Sequence, residues 1–154
     1  MKKQIQKQSV KYKARKGAPY TNEDAEIIGN VLDKLKNGQG FITPTSILEY
    51  AKQEDSELHQ YFEWDNSSAA EAYRLQQARE LVNHIVQIVV IDGKKTEERS
   101  FVSVNIENRG RVYVSLKAAI ENKNYRQQLL SKAITTLENL TWTMKMFRDA
   151  DLSA

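Results

Sequence analysis

The apolar residues of this chain change period near Gln87, and that switch limits what it can fold into. Before it, apolar side chains recur at steps of three and four, the spacing of helices with one buried face. After it, Ile88 to Ile91 and then Phe101, Val102 and Val104 read as strands of a β-hairpin, with Asp92-Gly93 and a charged loop between them. A brief third strand, Val112 to Leu116, follows Asn108-Arg109-Gly110. Helical spacing then returns from about Tyr125 to Phe147. The expected class is α+β, mostly helical.

Three helices precede the switch. Thr21 reads as an N-cap, with Glu23 and Asp24 in the first turn, where the helix dipole favours anions. Ile27, Ile28, Val31, Leu32 and Leu35 form its stripe, and Asn37-Gly38-Gln39-Gly40 stops it. Thr43-Pro44 opens a second helix, with proline where a missing N–H costs nothing, and Ile47, Leu48 and Ala51 form its core face. Asp55 or Ser56 caps a short turn running to Tyr61, Phe62 and Trp64. Asp65 to Ser68 start the third helix, with an apolar face of Ala69, Ala72, Leu75, Ala78, Val82 and Ile85. Three helices, a hairpin and a closing helix match a winged helix-turn-helix-like domain with a long C-terminal helix. The expected division is a flexible basic arm over 1–20, the winged-helix-like domain over 21–120, and a dimerisation helix and tail over 121–154.

Charge is distributed as unevenly as period. Of 23 basic and 20 acidic residues, seven basic and no acidic ones fall in the first twenty, so the other 134 carry 16 against 20. The seven are Lys2, Lys3, Lys7, Lys11, Lys13, Arg15 and Lys16. A flexible cationic arm reaches phosphates that an acidic body repels, so nucleic acid is the expected partner. Val10, Tyr12 and Ala14 alternate with basic residues, so part of the arm can become a strand when docked; alone it is expected to be mobile.

The third helix is the candidate reader of DNA. Arg74, Gln77 and Arg79 are types that contact base edges and phosphates, with Gln76, Asn83 and His84 beside them. Glu71 and Glu80 oppose phosphate approach, and a solvated helix face is the plainer reading. Lys94 and Lys95 would form a wing tip touching the backbone, diluted by Glu97 and Glu98. Arg109-Gly110-Arg111 has the look of a minor-groove arm, but a glycine-containing turn explains it better. On the last helix, Leu130, Ala133, Leu137, Leu140, Met144 and Phe147 repeat as an a/d seam suited to a homodimer.

Other chemistry has less support. With no cysteine, disulfides, thiolate metal sites and cysteine nucleophiles are excluded. His59 with Glu57, Glu63 and Asp65 has no recognised ligand spacing, which leaves a metal-dependent nuclease as a distant alternative. No nucleophile elbow or phosphate-binding glycine loop is present, and no enzyme activity or cofactor is expected. The aromatic run Tyr61-Phe62-Glu63-Trp64 can stack bases but reads better as packing between helices. No run of apolar residues is long enough for a membrane span, and no apolar leader region precedes the fold, so a cytoplasmic address is the default.

Tyr61-Phe62-Glu63-Trp64-Asp65, Ala69-Ala70, Tyr73-Arg74 and Gln77-Ala78-Arg79, with Arg15-Lys16-Gly17-Ala18 before and Tyr113-Val114 after, resemble small uncharacterised proteins of tailed phages and prophages. The resemblance covers most of residues 12–147. It implies a phage setting in a bacterial host cell and carries no activity, cofactor or binding residue with it. The expectation is a non-enzymatic DNA-binding protein of phage or prophage origin. The alternative is an interaction module for a host or virion protein.

Overall fold

A computed structural model describes residues 11–36, 38–65 and 70–151. Among these the chain is α+β, in two compact units over 1–116 and 117–154. The first unit runs β1 (Lys13–Ala14), α1 (Asn22–Lys36), α2 (Pro44–Ala51), a 3-10 turn (His59–Tyr61), α3 (Ala70–His84), β2 (Ile85–Ile91), β3 (Lys94–Arg99), β4 (Phe101–Ile106) and β5 (Gly110–Ser115). Helix α4 (Leu116–Glu121) bridges the boundary, and α5 (Lys123–Asp151) follows.

The two helix starts form as their sequences require. Thr21 Oγ1 accepts from the Asp24 N–H at 3.2 Å, and Asp24 Oδ2 accepts from the Thr21 N–H at 3.0 Å. Thr43 and Ser46 make the same reciprocal box ahead of α2, with Pro44 in the first turn. Ile28, Val31 and Leu32 of α1, Ile47 and Leu48 of α2, and Ala78, Leu81 and Val82 of α3 meet Phe101 in one buried core. Of the face expected for α3, Ala72 is exposed and Ala69 lies outside the described residues, as do 66–68. Leu81 takes a core place instead.

The strands differ from the expected single hairpin. Asp92 and Gly93 form a tight turn with φ of 49° and 78°, so β2 returns at once as β3, and the charged segment Lys94–Arg99 is a strand rather than a loop. Left-handed φ at two successive residues gives a turn whose twist matches that of the flanking strands. Phe101 and Val104 belong to a second hairpin, β4–β5, turning through Asn108 and Gly110. The sheets order as β1-β2-β3 and β4-β5, and Ile42 bridges to Tyr113 on β5. A helix-turn-helix joins its second and third helices by three or four residues, whereas here residues 52–65, with their 3-10 turn, intervene after α2.

In the second unit α5 spans 29 residues, beginning two residues before and ending four after the expected bounds. Among the described residues no helix is long and apolar enough to cross a membrane.

Candidate nucleic-acid interface

Tyr12 determines where the basic segment joins the fold. Its ring is buried, stacks on Phe101 with centroids 6.2 Å apart, and lies over Gly29 of α1, where any Cβ would run into it. Burial, with the Asp33 charge second, pushes the Tyr12 phenol up to about 12. Lys13 and Ala14 then pair with Val86 and Ile85, and the Arg15 N–H donates to the His84 carbonyl at 2.8 Å. The expectation of a mobile arm over 1–20 is therefore corrected over Tyr12–Arg15, which join the core and the edge of the sheet, while residues 1–10 lie outside the described residues. The alternation of Tyr12 and Ala14 with lysines supplies the apolar strand face that docks.

The basic residues distribute unevenly around this anchor. Lys11, Arg15 and Lys16 are exposed, while Lys13 is half-buried and sits 3.6 Å from Glu97 on β3. Since β1 is antiparallel to β2, going back from Lys13 to Lys11 leads toward the Asp92-Gly93 turn. Exposed Lys94 and Lys95 follow that turn as the first residues of β3, so they are strand residues at the tip of the β2–β3 hairpin and not part of a loop. Lys2, Lys3 and Lys7 lie outside the described residues.

Helix α3 does not present Arg74, Gln77 and Arg79 together. Arg74 Nε donates to the Glu63 carbonyl at 2.7 Å and Nη2 to that of Asp65 at 2.8 Å, with its guanidinium 5.0 Å from the centre of the Trp64 ring. Gln77 Oε1 accepts from the Glu63 N–H at 3.1 Å. Both hold the segment 63–65 in place, so the polar groups offered for DNA contact have partners within the chain. Three residues apart they share a helix side, whereas Arg79 lies about 140° round from Arg74. Arg79 is exposed and remains available to a phosphate, with Glu80 as its neighbour.

The second hairpin contributes cations that sequence reasoning set aside. Arg109 and Arg111 flank Gly110 at the β4–β5 turn, both exposed, with Arg109 6.0 Å from the Phe41 ring. Asn108 and Gly110 take positive φ, so the turn reading of this motif holds. Its location follows from the pairing of β5 with β4, whereas sequence spacing alone places Phe101 to Val104 in a hairpin with Ile88 to Ile91.

The aromatic run packs rather than opening a stacking platform. His59 stacks on Trp64 at 4.6 Å, and the Trp64 indole N–H donates to the His59 carbonyl at 2.8 Å. His59 Nδ1 lies 2.8 Å from the Ala51 carbonyl oxygen, and Glu57 accepts a 2.6 Å bond from the Tyr50 hydroxyl. Among the described residues no three histidines or carboxylates gather as a metal site. Within the second unit nothing covers the α5 seam: Leu130, Leu137, Leu140, Met144 and Phe147 are all more than half exposed, and Ala133 is exposed with them.

No family model, curated protein or solved structure matches the chain.

Proposed function

We propose that this chain is a non-enzymatic DNA-binding protein of phage or prophage origin. In this reading it acts in the bacterial cytoplasm, grips phosphate through its basic N-terminal segment and self-associates through α5. The observation that carries it is the run of seven cations without an acid in the first twenty residues. Its described part, from Lys11 to Lys16, is anchored by Tyr12 and β1 beside the strand pair bearing Lys94 and Lys95. A tethered cationic segment releases condensed counterions from DNA without asking the acidic body to approach it.

A winged-helix arrangement is supported by chain order, with the wing in a different place from the one the sequence suggests. Helices α1, α2 and α3 lead to β4 and β5, and Ile42, between α1 and α2, pairs with β5. On this reading β4–β5 is the wing, Arg109 and Arg111 sit at its tip, and β2–β3 is an added hairpin. Arg79 is then the remaining helix contact. Fold-level likeness carries no function alone; the cations do.

Salt-titrated gel shifts test the reading. Replacing Lys2, Lys3 and Lys7 together by Gln should flatten the slope of log affinity against log salt by about 2 to 3. The truncation that matches this ends at residue 10, because removing Tyr12 would unfold what it anchors. Arg74→Ala should leave the slope unchanged while costing about 1–2 kcal/mol of stability. An unchanged slope in the triple variant overturns the proposal. The second reading, a host or virion protein as partner, is favoured by exposed Ile88, Val90 and Ile91 on β2, and predicts no salt-dependent shift.

A further inference from the structure

Taken by itself, the second unit has a long apolar stripe that none of its own elements covers. Along α5 the stripe follows alternating steps of three and four from Leu130 to Phe147, about 25 Å of helix. Leu137 is 64% exposed and Phe147 68%, as though the helix stood in water. A helix of this length draws most of its stability from packing an apolar face, and a contiguous exposed patch of this kind marks an interface.

We infer that α5 pairs with α5 of a second copy, and that the two helices run antiparallel. The inference rests on the self-association reading above and adds an orientation and a register to it. Two features of the stripe carry it. The first is charge. Leu129, Ile134, Thr136, Thr141 and Thr143 flank the seam and are neutral; Arg148 alone among the flanking positions is charged, and it lies 3.4 Å from Asp149 of its own helix. Lys132, Glu138 and Lys145 fall off the seam. A second copy therefore brings no charge to bury against the core of the contact, whereas a charged foreign surface would lose its hydration there.

The second feature is volume, and it selects the direction. Side chains on one half of the seam run Leu130, Leu137, Met144; on the other they run Ala133, Leu140, Phe147. In a parallel pair each residue meets itself, so Ala133 faces Ala133 across a gap while Phe147 crowds Phe147. Reversing one helix exchanges the order of three- and four-residue steps, and the two halves then face each other. Leu130 meets Phe147 of the second copy, Leu137 meets Leu140, and Met144 meets Ala133. Each layer then pairs a larger with a smaller side chain or two of equal size, which fills the core without voids. Each protomer brings one basic segment, so the pair binds DNA bivalently.

The chain has no cysteine, so single cysteines report orientation without background. In the full chain, light scattering should give twice the chain mass, and Leu137→Glu should give the single mass with the first unit still folded by circular dichroism. Oxidised Ala133→Cys alone should not cross-link, whereas refolding it with Met144→Cys should yield a mixed disulfide dimer. A wild-type monomer at tens of micromolar overturns self-association and the orientation together. A dimer in which Ala133→Cys cross-links to itself overturns the orientation and leaves self-association standing. A dimer in which the mixed pair does not cross-link overturns the register.

Discussion

Helices α1 and α5 carry the same kind of apolar stripe and meet opposite fates. Ile28, Val31 and Leu32 of α1 are buried by α2, α3 and the Tyr12 ring, while Leu130, Leu137 and Leu140 of α5 remain more than half exposed. Spacing says that a helix has an apolar face; it does not say what covers the face. In the first unit the cover is intramolecular, and stability there is a property of one chain. Under the proposed pairing of α5 with a second copy, stability there would depend on concentration.

The largest effect should separate the two regions directly. Phe101→Ala opens a cavity under Tyr12 and among the helices, and should cost about 3–5 kcal/mol in urea unfolding at any protein concentration. Leu137→Ala should shift the midpoint only to the extent that dilution of the wild type does. Equal, concentration-independent losses from both would erase the contrast.

A smaller effect sharpens the boundary of the first unit. Gly29→Ala places a methyl where the Tyr12 ring lies, and should cost about 1–3 kcal/mol. Tyr12→Ala in the same background removes the obstacle, so the two losses should be strongly non-additive in a double-mutant cycle. Additive losses would mean that Tyr12 does not rest on α1.

The smallest effect concerns pH. The Thr21 backbone N–H, the Tyr61 hydroxyl at 2.7 Å and the Thr21 hydroxyl hold the Asp24 carboxyl below its ordinary value of 3.8. A carboxyl that titrates lower in the folded state stabilises above its unfolded value, and that contribution is lost as pH falls through the folded one. Asp24→Asn should therefore be less stable than wild type at about pH 6, with the gap closing toward about pH 2. A gap that widens in acid would reverse the sign. At the other extreme, burial of Tyr12 up to about 12 adds stability that is complete below pH 10.0 and lost as pH rises toward the folded value.

Much of the local structure was legible before any fold. Thr21 and Thr43-Pro44 mark two helix starts because a cap is a short-range bond between neighbours. The helix-to-strand switch near Gln87 falls three residues after the observed end of α3 at His84. Asp92-Gly93 marks a turn because few residue pairs accept its backbone. The candidate site was less legible. Charge counting found the basic segment, but residue type alone offered Arg74 and Gln77 as DNA contacts. Whether a polar side chain on a helix faces a ligand or ties down its own chain depends on what arrives beside it, here the Glu63–Asp65 backbone.

The sequence by itself determined the class, the caps, the first hairpin turn, the charge asymmetry and the α5 stripe, since each follows from residues a few positions apart. Tertiary structure alone decided that Tyr12 belongs to the core, that Lys94–Arg99 is a strand, and that Phe101 pairs forward with Ser115 rather than back across the charged segment. Each of those outcomes is a competition between distant partners, and the winner is set by shared burial, which no local spacing encodes.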